Sequence, residues 1–299
     1  MAQPAQFDIP PRLVESVRAE GTPAGRSWLA ELPGLAARRL ADWGLVPERV
    51  VEPGGRSSLV LHAHRADDLA PVALKLSRPS AEAAALRVWA GRGAVLLLDE
   101  ADGALLLERL HGQIPLRSLA EPKAMLEATS LLRRLWVEVP AGHPFPTLAE
   151  HAGRLAERLA ERRSLPPAAD AGPLVDEALE ATALAADGGG WLLHGEFQHG
   201  RVLAADRSPW LAVAPRPLVG DRAYDLAGLV LDRLDTLAAA PGPRGEARRR
   251  VSRLAEAVEL PADRVRAWTL LRAVDTALAA FAAGDAATAE LHLEFAAWL

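Results

Sequence analysis

Residues 192–230, "LLHGEFQHGRVLAADRSPWLAVAPRPLVGDRAYDLAGLV", decide the fold. The segment reads as a strand-loop-strand unit, because short apolar runs alternate with a polar loop rich in glycine and histidine. The loop carries a carboxylate, Glu196, with His199 and Arg201 close behind it. Glu196 and His199 could form an acid–base pair if their side chains converge. The simpler reading of His199 is a loop histidine near the surface.

Upstream of this unit the pattern changes from strands to helices. "RSWLAELPGLAARRLADWGL" is helical, with Trp28, Leu29, Leu32, Leu35, Leu40 and Trp43 as the apolar face. "VVEPGGRSSLVLHAHRADDLAPVALKLSRP" then reads as a meander of strands with a Gly-Gly turn, and it places Lys75 inside an apolar run. "SAEAAALRVWAGRG" predicts a helix with Ser80 as N-cap, Glu82 in its first turn, and Gly91 and Gly93 at its end. "AVLLLDE" and "GALLLERL" form a hairpin about the Asp-Gly turn at 102–103. From about residue 117 helices dominate. A strand-rich first part with one helix, followed by a helical second part, is the order of an α+β, two-lobed, protein-kinase-like fold. The boundaries are residues 1–110 for the strand-rich lobe and 111–299 for the helical one, with the linker near "LERLHGQ", 107–113.

Composition sets the outer limits. A chain of 299 residues, half of them hydrophobic, can bury a large core or two lobes. The net charge of −5 argues against a nucleic-acid binder. No cysteine is present, which excludes disulfides and thiolate metal sites. Charges interrupt every apolar stretch before it reaches the ~20 residues of a membrane span. With no leader pattern at the start, the expected location is cytoplasmic. Of the 34 basic residues only Lys75 and Lys123 are lysines. Lys123 reads as a surface lysine retained by chance, whereas Lys75, inside its apolar run, marks a position where a compact ammonium serves and a planar guanidinium does not.

From about residue 9 to the C-terminus the chain resembles the streptomycin 6-kinase and hydroxyurea phosphotransferase group of the aminoglycoside phosphotransferases. That group would write the deciding segment as LLHGDLHHGNVL, followed by PWLAIDPKPLVGDPAYDLA. The resemblance implies ATP or another nucleotide as cofactor and a small polar or anionic metabolite as partner. Lys75 would meet the phosphates and Glu82 would pair with it. "LLLERL", containing Glu108 and Leu110, would be the hinge beside the adenine, and "EPGGRSS" the loop over the phosphates. His194, Asp221 and Asp225 would hold the loop and the helix after it. Arg216 would add positive charge on the phosphate side.

Three positions depart from the pattern: Glu196 stands for Asp, Arg201 for Asn and Ala214 for Asp. The longer Glu196 displaces its carboxylate by about 1 Å, Arg201 has no lone pair to give a metal, and Ala214 offers no side-chain ligand. The expectation is a family member with a degenerate site, binding its ligand without ordinary Mg-ATP transfer, Mg²⁺ not held in the usual way. It would be a pseudokinase or a biosynthetic enzyme of altered chemistry. The alternatives are an active O-phosphotransferase using Glu196 as base, and a non-catalytic partner of another protein.

Overall fold

The computed structural model describes residues 8–163 and 171–299. Residues 1–7, read above as lacking a leader, lie outside the described residues, as do residues 164–170. The chain divides into two compact units. One runs to Gly112 and includes Ala204–Pro209; the other comprises Gln113–Leu203 and Trp210–Leu299.

The first unit opens with helices α1 (Pro11–Ala19) and α2 (Pro23–Asp42). The Thr22 hydroxyl caps α2 by accepting from the Gly25 amide at 3.1 Å. Strands β1 (Leu45–Val50), β2 (Ser58–Arg65) and β3 (Pro71–Ser77) follow, then helix α3 (Glu82–Trp89) and strands β4 (Leu97–Ala101) and β5 (Ala104–Glu108). They form one antiparallel sheet in the order β1-β2-β3-β5-β4. Alternation sends Leu59, Leu61, Leu74, Leu76 and Leu106 into a core with Leu13, Val17, Leu32 and Ala36 of the two helices. Lys75 lies between Leu74 and Leu76, so it projects to the other face of the sheet. Trp28, Leu29, Leu35 and Trp43 pack against this core while only partly buried.

Two local expectations are refined. The helix after β3 begins at Glu82 with Ala81 as cap, and Ser80 Oγ accepts from the Glu82 amide at 3.3 Å rather than occupying the cap itself. Its end follows the expected pattern, with left-handed backbone at Ala90, Gly91 and Gly93. At the Gly-Gly turn, Gly54 has φ +75°, and a side chain there would meet Pro10 at 2.9 Å. Packing against the N-terminal segment therefore accounts for that glycine without a ligand.

The second unit is mostly helical. Strand β6 (His111–Pro115) leads through a single 3-10 turn to α4 (Glu121–Leu135), the short β7 (Val137–Glu138), α5 (Leu148–Arg162) and α6 (Gly172–Ala181). Thr147 and Glu150 form a reciprocal capping box at the start of α5. The deciding segment supplies β8 (Trp191–Leu193), β9 (Val202–Ala204), β10 (Trp210–Ala212) and β11 (Leu218–Gly220), followed by α7 (Ala223–Val230). Its strands join two small sheets, β10-β9-β6 and β11-β8-β7. Helices α8 (Leu234–Ala238), α9 (Pro243–Ala257), α10 (Ala262–Ala282) and α11 (Ala286–Trp298) complete the unit. Helix α7 is buried along its length, and α10 packs against it, with the Trp268 ring edge-on to Tyr224. No helix among the described residues is long and apolar enough to cross a membrane.

Candidate active site

In the first unit the candidate group is Lys75. Its Nζ donates to both Glu82 oxygens, at 2.7 and 2.5 Å, with only 7% of Lys75 and 4% of Glu82 exposed. Strand and helix present these groups seven residues apart, and both charges are satisfied mutually in a buried position. The Glu108 side chain, in the segment expected as hinge, is held within the unit. Glu108 accepts from the Leu96 amide at 2.6 Å and from Arg207 at 2.6 and 3.1 Å. Arg207 further donates to the carbonyls of Gly91 and Ala94. The Glu108 carboxylate thus ties a corner of the unit together, and its amide donates to Leu96 O. The Leu110 carbonyl accepts from the Gly112 amide at 3.0 Å.

In the second unit the loop after β8 is fixed from behind. The fully buried Asp225 carboxylate accepts from the amides of His194 (2.9 Å) and Gly195 (2.7 Å) and from the Trp136 indole (3.1 Å). Burial pushes this carboxyl above its ordinary value, and its three donors oppose that shift. Gly195 has φ +78°, and a Cβ there would lie 2.0 Å from the Arg216 carbonyl, so only glycine fits. The His194 ring is buried, with Nε2 3.1 Å from the Val213 carbonyl. Asp221 accepts from the Trp268 indole at 2.8 Å, from Arg264 at 2.9 Å and from the Ala223 amide at 3.0 Å. His194, Asp221 and Asp225 are therefore frame residues. Trp136, on which the loop also depends, gave no signal in the sequence beyond an apolar helix end.

The front of the loop brings Glu196, Arg201 and Arg216 together. Arg201 donates to Glu196 Oε2 at 3.3 Å and to the Ala214 carbonyl at 2.8 Å. Arg216, 65% exposed at its side chain, stands 4.0 Å from Glu196 Oε1. The Ala214 backbone is left-handed at φ +53°, a conformation in which Asp and Asn are far commoner than alanine.

His199 does not join this group. Its ring is fully buried, and both its amide (2.9 Å) and its Nδ1 (2.7 Å) lie on the Asp232 carboxylate. This corrects both readings of His199, the acid–base partner of Glu196 and the loop histidine near the surface: the ring is buried on Asp232, at the start of the turn His199–Arg201. Burial alone would raise the Asp232 carboxyl, but the His199 hydrogen bonds and charge, with Arg117 adding to them, hold it below its ordinary value.

A metal ion of the kind phosphoryl transfer uses needs oxygen ligands. The oxygens at the front of this loop are those of Glu196 and the Ala214 carbonyl, and the same guanidinium is hydrogen-bonded to both. These residues do not fit a magnesium site of the family's kind. Arg201 and Arg216 set two guanidinium groups beside the single Glu196 carboxylate.

The profile of the family described as aminoglycoside/hydroxyurea antibiotic resistance kinase matches residues 42–284. Streptomycin 6-kinase of Streptomyces griseus is 37% identical over 286 residues, covering 93% of this chain and 92% of that protein. Hydroxyurea phosphotransferase of Kitasatospora aureofaciens is 38% identical over 314 residues, covering 98% and 86%. Among solved structures, amicoumacin kinase in complex with AMP-PNP, Ca2+ and Ami has a TM-score of 0.60 at 13% identity, over 88% of this chain and 93% of that one. Choline kinase LicA from Streptococcus pneumoniae has a TM-score of 0.58 at 11% identity, over 89% and 99%. The fold is the α+β kinase-like fold, and the chain belongs to the aminoglycoside/hydroxyurea antibiotic resistance kinase family.

Proposed function

We propose that this chain binds a small polar or anionic metabolite, or a nucleotide, without carrying out ordinary magnesium-dependent phosphoryl transfer. One observation carries the reading: the Arg201 guanidinium lies between Glu196 and the Ala214 carbonyl, where the family pattern has metal-binding side chains. Relative to that pattern, position 201 gains a positive charge and position 214 loses a negative one. Such a site pairs with phosphate, sulfate or carboxylate directly. The retained Lys75–Glu82 pair is consistent with a nucleotide as ligand, as is AMP-PNP in the amicoumacin kinase complex.

Calorimetric titration with ATP, ADP and sulfate, each with and without EDTA, tests this reading. Binding should persist in EDTA and should weaken about tenfold or more in Arg201→Ala, the loss of one charge-assisted pair. Binding that requires Mg²⁺, or that ignores the substitution, overturns it.

A second reading, an active O-phosphotransferase with Glu196 as base, is favoured by the same Lys75–Glu82 pair and by the names of the relatives. Under it, ATP consumption with streptomycin or hydroxyurea should reach kinase rates of roughly 1 to 100 per second. Under the first reading the parent is silent, and Glu196→Asp, Arg201→Asn and Ala214→Asp together raise turnover.

A further inference from the structure

A cavity of about 450 Å³ opens in the second unit between α4, α8 and α9. Its walls include Met125, Leu126, Leu237, Ala240, Leu254 and Ala257, and none of Glu196, Arg201 or Arg216 lines it. Leu126 is 68% exposed at this cavity, the most exposed large apolar side chain of the second unit's described residues. The volume falls within the roughly 300–1,000 Å³ of small-molecule sites.

The charges in its lining are matched. Glu121 accepts from Arg250 at 2.7 Å, and Glu246 accepts from Arg249 at 2.8 Å and also from Arg253. The Thr129 hydroxyl donates back to the carbonyls of Met125 and Leu126. An ionic ligand would have to break one of these pairs, whereas an uncharged apolar one displaces only water. The exposed Thr236 hydroxyl is a polar handle for it.

One wall residue connects the cavity to the loop. Arg250 is almost wholly buried and donates to the carbonyls of Val230 (3.1 Å) and Asp232 (2.8 Å) besides Glu121. The carboxylate of that same Asp232 holds the amide and ring of His199, which begins the turn carrying Arg201. A ligand against Arg250 therefore touches a residue that sets the position of the loop's back.

We propose that this cavity is a regulatory site for a neutral, largely apolar small molecule, acting on the 194–203 loop through Arg250, Asp232 and His199. The inference is independent of whether the family reaction survives, since no residue of the loop front takes part.

The test uses the full chain and N-phenyl-1-naphthylamine, an uncharged fluorescent probe. Saturable binding at one site per chain is expected, weakened about tenfold or more by Ala240→Phe and, separately, by Thr236→Trp, each filling the cavity from its accessible side. Circular dichroism melts confirm that both variants fold. Hydrogen exchange at 194–203 should change at least about twofold in the wild type on probe binding and not in the filled variants. Non-saturable uptake, or binding that survives both substitutions, overturns the site. Specific binding with unchanged exchange at 194–203 overturns the regulatory role.

Discussion

Each unit places an acid beside a base at the position where its family would put working residues, yet the two pairs differ in kind. Lys75 and Glu82 are buried and joined twice at hydrogen-bond distance. Glu196 and Arg201 are a quarter exposed or more, joined once at 3.3 Å, with a second arginine at 4.0 Å. A buried pair is costly to break and so acts as a fixed part of the frame. A partly exposed pair is screened and replaceable, so a ligand anion can compete for its arginine. In the first unit the charged pair is itself the fixed point, whereas in the second the fixed points lie behind the loop, in Asp225, Asp221 and His199.

The strongest challenge to this contrast is Lys75→Met, which leaves Glu82 buried and uncompensated. It should cost ~3–5 kcal/mol by chemical denaturation, and adding Glu82→Leu should recover most of that. A loss below about 1 kcal/mol, the worth of an exposed pair, would place Lys75–Glu82 in the same class as Glu196–Arg201.

Asp225→Asn comes next, because an amide nitrogen would face one of the three donors on that carboxylate. A loss of ~2–3 kcal/mol is expected, with raised hydrogen exchange at His194 and Gly195. Stability unchanged by this substitution would show that the loop is not held from behind.

The third effect is a pH dependence in the same support. His151 Nε2 lies 3.0 Å from the Tyr224 hydroxyl, and burial, with Arg154, Arg158 and Arg272 nearby, lowers its pKa to about 4. A histidine depressed in the fold stabilises it above the unfolded value near 6.5, and the benefit is lost as pH falls toward 4. After discounting for partial exposure the loss is ~1–2 kcal/mol, and His151→Gln should flatten it. An equally steep profile in that variant would assign the titration to another group.

The smallest effects fall at the loop front. Arg201→Met should shift stability by less than ~1 kcal/mol even where it abolishes anion binding. Ala214→Gly should gain ~0.5–1 kcal/mol by relieving left-handed backbone at an alanine. Together these outcomes would separate frame from working surface inside one loop.

The strands of the first unit were legible because apolar alternation and the Asp102-Gly103 turn state their register locally. Lys75 and Glu82 stood out for a similar reason, one a rare lysine in an apolar run and the other in the first turn of a marked helix. The burial of His199 escapes local pattern because it depends on Asp232, a partner 33 residues away that nothing in the loop announces. The same distance hid Trp136, whose indole reaches Asp225 across 89 residues. The Glu108 side chain is held by Arg207, 99 residues downstream, a partner that no local pattern announces. Local pattern carries secondary structure, while the ownership of a polar side chain is decided by long-range packing.

The burial of Lys75 also makes the chain a simple chemical reporter. Only one other lysine, Lys123, competes for acylating reagents, and it is exposed on α4. Mild acylation of the native protein should therefore mark Lys123 and spare Lys75, whose ammonium is enclosed with Glu82. Label arriving at residue 75 then counts the openings of that one buried pair, with ligand-induced protection readable by mass from a single peptide.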